Sequence, residues 1–441
     1  MINQNSLSSN KLLLTAIHGS IALLVLIGVK SLQYFYPTVF TYLIIEDSWV
    51  EYGTFVCYIL AAGLLMWAIK SDRSLLKFGY VMMVLAFFMI AMEEISWGQR
   101  LFHIKTPEAL ARLNVQSELN LHNMDRDIPI GTFDIIFFNA VTIWVFVISP
   151  LAVRFKLLRE RLVKLGVPIV PIHLICYFAL SLFIAFIQRL VSDEVGELIL
   201  SFAFFCLVID IWMKARNHGV VAKIPVIVVT GLVTAVAVAI TGIFVSIGLE
   251  SKSVRWGFRK MATKGYPKYG LYEQADQLFR YILNNPKLKV SDTRLEYGIF
   301  LKKINSPRAQ GILTLALTEQ YQLIKEKPDK SEFYYAAGKI LKLLGNKELA
   351  QQEFQNSLNR DQLNLSQAKT GEEKSLILSS IGKTYFEMED LAAALGYFKE
   401  ADHLTTNKRE KIRLQQWIEK TSASPQNFFG VTVKNLGQGL E

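Results

Sequence analysis

The sequence predicts an all-α protein: a polytopic bundle of about seven transmembrane helices followed by a soluble α-solenoid. Three observations carry that prediction. Hydrophobic residues make up 51% of the 441 positions and only 20% are charged, against about 25% for an ordinary globular chain. The charge is unevenly spread, with 18 Lys+Arg and 16 Asp+Glu in residues 1–249 but 30 and 22 in residues 250–441. Finally, the apolar half breaks into stretches near the length of a bilayer crossing, while the charged half repeats a helical-pair pattern.

The apolar stretches fall at 12–34, 49–69, 76–96, 133–153, 169–190, 194–213 and 224–249. The first has Lys11 as its only positive flank and no small-residue cleavage site near its end, so it reads as a retained anchor. The last is rich in small residues (Gly231, Ala235, Ala239, Gly242), which suits close helix packing. The three cysteines, Cys57, Cys176 and Cys206, all lie in these apolar runs. The charged half therefore has neither a disulfide framework nor a cysteine zinc site.

Loop charge orients the bundle. With the N-terminus in the cytoplasm, the inner segments and their edges carry twelve Lys/Arg: Lys11, the Lys70–Lys77 group, five between Arg154 and Lys164, and Lys214, Arg216 and Lys223. The outer segments carry six, namely Lys30, Arg100, Lys105, Arg112, Arg126 and Arg189. An odd number of crossings then puts residues 250–441 outside the cytoplasm, the whole sitting in a plasma or bacterial inner membrane.

In the charged half, Gly338 is followed at offsets of 12, 16 and 20 by Ala350, Phe354 and Leu358, and Gly382 at the same offsets by Ala394, Phe398 and Asp402. A partial unit appears at Ala275, Phe279, Ile282 and Pro286, and a degenerate one around 297–315. A small residue lets two helices touch and the aromatic fills the next layer. The pattern resembles tetratricopeptide (TPR) repeats over roughly 266–421, with an insertion at 359–373. That resemblance implies a concave surface that binds a protein or peptide; a hairpin stack packed on its own membrane domain is the other reading. The domain plan is thus 1–249 membrane bundle, 250–265 linker, 266–421 TPR-like array and 422–441 tail. Cations in this half are interspersed with acids, so no nucleic-acid partner is expected.

Carboxylates gather on one membrane face: Glu46, Asp47 and Glu51 before the second span, Glu93 and Glu94 at the end of the third, Glu118 in the long loop, and Asp193, Glu194 and Glu197 at the start of the sixth. Ionisable groups at a membrane are costly, so their convergence marks a candidate site. Within the loop, Thr106-Pro107-Glu108 is a helix-start signal, and the helix expected over about 106–123 presents Asn114, Glu118 and His122 on one face. Glu and His four apart can share a metal, and such oxygen and nitrogen donors suit Zn, Mn or Fe. The site reads in two ways. Glu118, His122, Glu194 and Glu197 hold a divalent metal, Glu93 or Glu94 act as general base, and Gln99, Arg100 and Asn120 bind substrate; or the same groups form a structural ion-pair network with the loop arginines. His18, His103, His173 and His218 have no companion ligand nearby in sequence.

Residues 93–100 (EEISWGQR) and 114–123 (NVQSELNLHN) resemble a set of uncharacterised bacterial multi-pass membrane proteins. The resemblance implies that Glu93, Glu94, Gln99, Arg100, Glu118, Asn120 and His122 belong to one site; it brings no activity with it. There is no Ser nucleophile elbow, Walker A loop or Gly-rich dinucleotide fingerprint, which argues against an ATPase, a kinase and a flavin or NAD enzyme. Two functions remain. One is an anchored interaction protein that docks a protein partner; the other is a metal-dependent hydrolase or transferase acting on a membrane lipid or lipid-linked substrate.

Overall fold

The computed structural model describes residues 4–45, 47–99, 102, 104–107, 119–120, 133–187, 194–216, 226–248 and 251–423. Every regular element among them is helical. The chain divides into two compact units, Met1–Leu288 and Lys289–Glu441.

The first unit contains α1 (Gln4–Phe35), α2 (Pro37–Ile44), α3 (Trp49–Ser71) and α4 (Phe78–Glu94). Next, α5 (Phe133–Ile143) runs through a π-helical turn at Trp144–Ile148 into α6 (Ser149–Arg154). It continues with α7 (Lys156–Leu165), α8 (Ile175–Ile187), α9 (Glu194–Arg216), α10 (Val226–Gly248), α11 (Ser251–Lys260) and α12 (Tyr272–Asn284). Four segments are long and apolar enough to cross a membrane: Leu12–Phe35, Trp49–Ser71, Ile136–Arg154 and Glu194–Ala215. Shorter apolar helices cover Ile172–Ile184 and Thr234–Ser246.

Helices α3 and α9 form the centre. Helix α3 packs on α4, α9 and α10, and α9 also packs on α8. Burial follows that arrangement, with 72% of the apolar window buried in α9 against 11% in α1, so α1 presents most of its leucines and valines outward. Hydrocarbon is as apolar as leucine, so contact in such a bundle comes from packing shape more than from exclusion of water. Phe204 of α9 supplies the shape. Its ring meets Tyr58 of α3, Phe87 of α4, Phe137 and Trp144 of the α5 segment and Phe178 of α8, at centroid distances of 5.2–6.4 Å. Trp144 is fixed by its indole N–H, which donates to the Pro168 carbonyl at 3.0 Å.

Residues 251–265, expected as a linker, are helical. Helix α11 and the π-helical turn after it (Met261–Gly265) bury Val254, Phe258, Met261 and Ala262. Helix α12, expected as the start of the repeat array, packs on α1 and α2 within the first unit, burying Ala275, Leu278 and Phe279. Its Gln274 side chain donates to the Tyr34 carbonyl at 3.1 Å.

The second unit is a run of helices that each pack on the next: α13 (Thr293–Lys303), α14 (Ala309–Glu326), α15 (Ser331–Leu344), α16 (Lys347–Gln367), α17 (Gly371–Glu387), α18 (Leu391–Leu404) and α19 (Lys408–Ser422). The irregular stretch at 359–373 is a lengthened α16 followed by a capping box. There Thr370 accepts the Glu373 N–H, and Glu373 accepts the Thr370 N–H.

Candidate functional site

The end of α4 makes an abrupt turn. Ser96, Trp97 and Gly98 all have left-handed backbone, with φ of 47°, 56° and 75°. Two consecutive non-glycine residues there cost conformational energy of about 1 kcal/mol or more each, so neighbouring contacts must hold them. The Trp97 indole N–H donates to Glu93 Oε1 at 2.7 Å, and the Asn120 amide donates to Ser96 Oγ at 2.9 Å. Ser96 and Asn120 are both buried.

Gln99 ties the next stretch together. Its amide N–H donates to Thr106 Oγ1 at 2.6 Å, and its Oε1 accepts the Leu119 N–H at 2.8 Å. The two signature segments thus meet through Ser96–Asn120 and Gln99–Leu119. Gln99 and Asn120 face one another's segments, with their amides engaged in holding the loop. Arg100, Glu118 and His122 lie outside the described residues, as does Glu46.

Two further carboxylates approach from other helices. Glu94 and Glu197 both lie within electrostatic reach of the buried Tyr58 hydroxyl, so α3, α4 and α9 converge on one locus. Glu194 is exposed in the first turn of α9 and Glu197 is half-buried one turn on, where the helix N-terminus favours negative charge. Asp47 and Glu51 sit near the start of α3. Asp47 has left-handed backbone, φ 61°, and its N–H donates to Glu51 Oε2 at 2.5 Å. The buried Asp47 carboxylate also accepts the Ser253 hydroxyl of α11 at 3.1 Å. Carboxylates from α3, α4 and α9 therefore share the end of the bundle on which α11 lies. Among the described residues no group of three or more His, Cys, Asp or Glu could hold a metal. The Glu118–His122 pair that the sequence singles out for that role is outside them.

A second polar cluster escapes sequence reading. His18 of α1 and His173 before α8 bring their rings to 5.1 Å, and His18 Nδ1 is 3.0 Å from the Tyr177 hydroxyl. Asp210 and Lys214 of α9, paired at 2.5 Å, lie within electrostatic reach of His173. No sequence spacing links His18, His173 and Asp210; the packing of α1 and α9 on α8 joins them.

The second unit has its own regularity. A Cβ on Gly338 would lie 2.6 Å from the Phe354 ring, and one on Gly382 would lie 2.7 Å from the Phe398 ring. A Cβ on Gly298 would lie 2.5 Å from Leu313. In all three helix pairs the first helix meets the second at a residue without a side chain.

No protein-family model matches this chain, and no curated protein matches it.

Proposed function

We propose that the protein is a membrane-anchored interaction protein, with a seven-span bundle as anchor and the second unit as a TPR-like docking surface for a protein partner. The observation that carries the reading is the recurrence of Gly298, Gly338 and Gly382 at the crossing of successive helix pairs. Repeated close crossings stack helix pairs into a curved array, and such arrays use the inner curve to bind extended segments. The spans are the four long apolar segments, the two shorter ones and α4. With the N-terminus in the cytoplasm, the docking unit and the carboxylates lie on the extracytoplasmic face. Loop charge supports that orientation by twelve to six, but the six Lys/Arg of residues 251–268 raise the outer count to twelve as well. A C-terminal fusion to a reporter active on one side only decides the orientation. Crosslinking in native membranes should capture a discrete partner through residues 289–423, and deletion of 289–441 should release it. If the intact protein captures no partner, the docking reading fails.

A second reading is favoured by one specific feature, an apolar cavity of about 420 Å³ inside the first unit. It is lined by residues of α1, α2, α3, α8, α9 and α10, and its lining includes Val50 and Val195, sequence neighbours of Glu51 and Glu194. In this reading a lipid or lipid-linked substrate seats its chain there. Glu118, His122, Glu194 and Glu197 would hold a divalent metal (Zn, Mn or Fe), which would supply an activated water, and Glu93 or Glu94 would serve as the base that takes its proton. Arg100 binds an anionic headgroup. Metal analysis of purified protein against a Glu118→Ala/His122→Ala variant tests it: metal in the parent and none in the variant supports the site, and none in either sinks it.

A further inference from the structure

Residues 251–272 hold six cations, Lys252, Arg255, Arg259, Lys260, Lys264 and Lys268, and not one Asp or Glu. The run begins three residues after the end of α10, an apolar helix, and so starts where the chain would leave the bilayer. Its conformation sorts the residues by face. Val254, Phe258, Met261 and Ala262 are buried. Helix α11 packs on α2 and lies flush on Ile45, the residue that caps α2, because a Cβ on Gly257 would overlap Ile45 Cγ2. Phe258 stacks on Tyr281 of α12 at 5.5 Å. The other face carries Arg255 and Arg259, half-buried, and Lys260, Lys264 and Lys268, exposed.

One apolar side chain breaks that polar face. Trp256 is 49% exposed, and Lys260 Nζ sits 4.6 Å from its ring centroid. An amphipathic helix, an outward Trp and a row of cations beside a membrane span fit one kind of surface. Indoles prefer the headgroup level of a bilayer, and basic residues at that level attract anionic lipid. We infer that residues 251–268, namely α11, the π-helical turn after it and the short helical turn Tyr266–Lys268, form a binding surface for anionic phospholipid headgroups, with Trp256 seated among them and the lysines on their phosphates. The Asp47 carboxylate, which reaches Ser253 from the buried side, fixes the helix on the bundle so that the cationic face is presented to the bilayer. The inference rests on α10 crossing the membrane and is independent of what the second unit docks.

The test uses the full chain in lipid nanodiscs of phosphatidylcholine plus phosphatidylglycerol, with bromine on the acyl chains of one lipid or the other. Quenching assigned to Trp256, as the difference between the parent and Trp256→Phe, should be greater with brominated phosphatidylglycerol. The preference for phosphatidylglycerol that this excess reports should weaken about fivefold in affinity per lysine removed, so the excess should shrink in Lys260→Gln, Lys264→Gln and Lys268→Gln and disappear when the three are combined. All three side chains are exposed, so these variants keep the fold. High salt should abolish the excess in the unaltered protein, a check that needs no variant. Equal quenching by the two lipids would overturn the inference while leaving the membrane anchor intact. Absence of Trp256 quenching by either lipid, or a salt-insensitive excess, would overturn it as well.

Discussion

Replacing Gly338 by alanine puts the proposed helix crossing under direct load. The new methyl carbon would sit 2.6 and 2.7 Å from Phe354 Cδ1 and Cε1 and 3.1 Å from the Ala350 carbonyl oxygen. Carbon atoms prefer about 3.5–4.0 Å, so either the ring or the helix must move by most of an ångström. Phe354 is 1% exposed and packs with Leu341 and Ala350, which leaves the ring no free volume. Overpacking of this kind costs about 1–3 kcal/mol. Alanine returns about 1 kcal/mol through its better helix propensity, for a net loss of about 0–2 kcal/mol, against a net gain where no clash opposes the propensity. The control lies in the same unit: a Cβ on Gly396 of α18 meets nothing within 4 Å, so Gly396→Ala keeps the propensity gain and should stabilise by about 1 kcal/mol. Hydrogen exchange of the intact protein reads both changes locally, with faster exchange expected across α15 and α16 in Gly338→Ala and slower exchange in α18 in Gly396→Ala. If Gly338→Ala protects its helices as well as Gly396→Ala does, the argument that these glycines exist to let helices touch is refuted.

Gly79 should be equally intolerant for a harder reason, since its Cβ would meet the Gly166 carbonyl oxygen at 2.6 Å. Backbone cannot rotate away, so Gly79→Ala should cost about 1–3 kcal/mol, measured as loss of folded protein on heating in detergent. Asn120→Ala removes the donor to Ser96 Oγ inside a buried contact and should cost about 1–3 kcal/mol, with increased proteolysis of the loop after α4 as readout. Glu372 accepts the Thr405 hydroxyl at 2.6 Å and the Thr406 N–H and hydroxyl at 2.7 and 2.8 Å. Those bonds, the one from Thr405 foremost, hold its carboxyl below the ordinary range. A depressed carboxylate contributes stability that is present above the ordinary range and lost as pH falls through the lowered value. The protection factors of the α17–α19 amides, taken relative to the intrinsic exchange rate at each pH, should therefore fall on acidification, and Glu372→Gln should flatten that dependence.

Of the seven expected spans, the four long apolar segments were legible because their signal is additive. Twenty apolar residues in a row announce a span whatever they pack against, since the bilayer demands that backbone bonds close within the helix. The glycine-to-aromatic offset of sixteen was legible for a similar reason: Gly338 and Phe354 are joined by a short turn, so their contact is nearly local. The loop signature at 93–100 and 114–123 pointed to one locus, and the Ser96–Asn120 and Gln99–Leu119 bonds join those segments.

Other features depended on which helices become neighbours. Composition alone read residues 250–265 as a connector, because a short basic stretch with one tryptophan has no partner within its own sequence. The partner is α2 with its C-terminal cap, two hundred residues earlier, where Ile45 receives Gly257. His18 and His173 looked isolated for the same reason, and the packing of α1 on α8 brings their rings together. Local sequence determined which segments are apolar, helical and able to cross a membrane, since those properties come from residues a few positions apart. Tertiary packing decided which polar side chains meet inside the bundle, because those meetings depend on contacts between segments that no local spacing encodes.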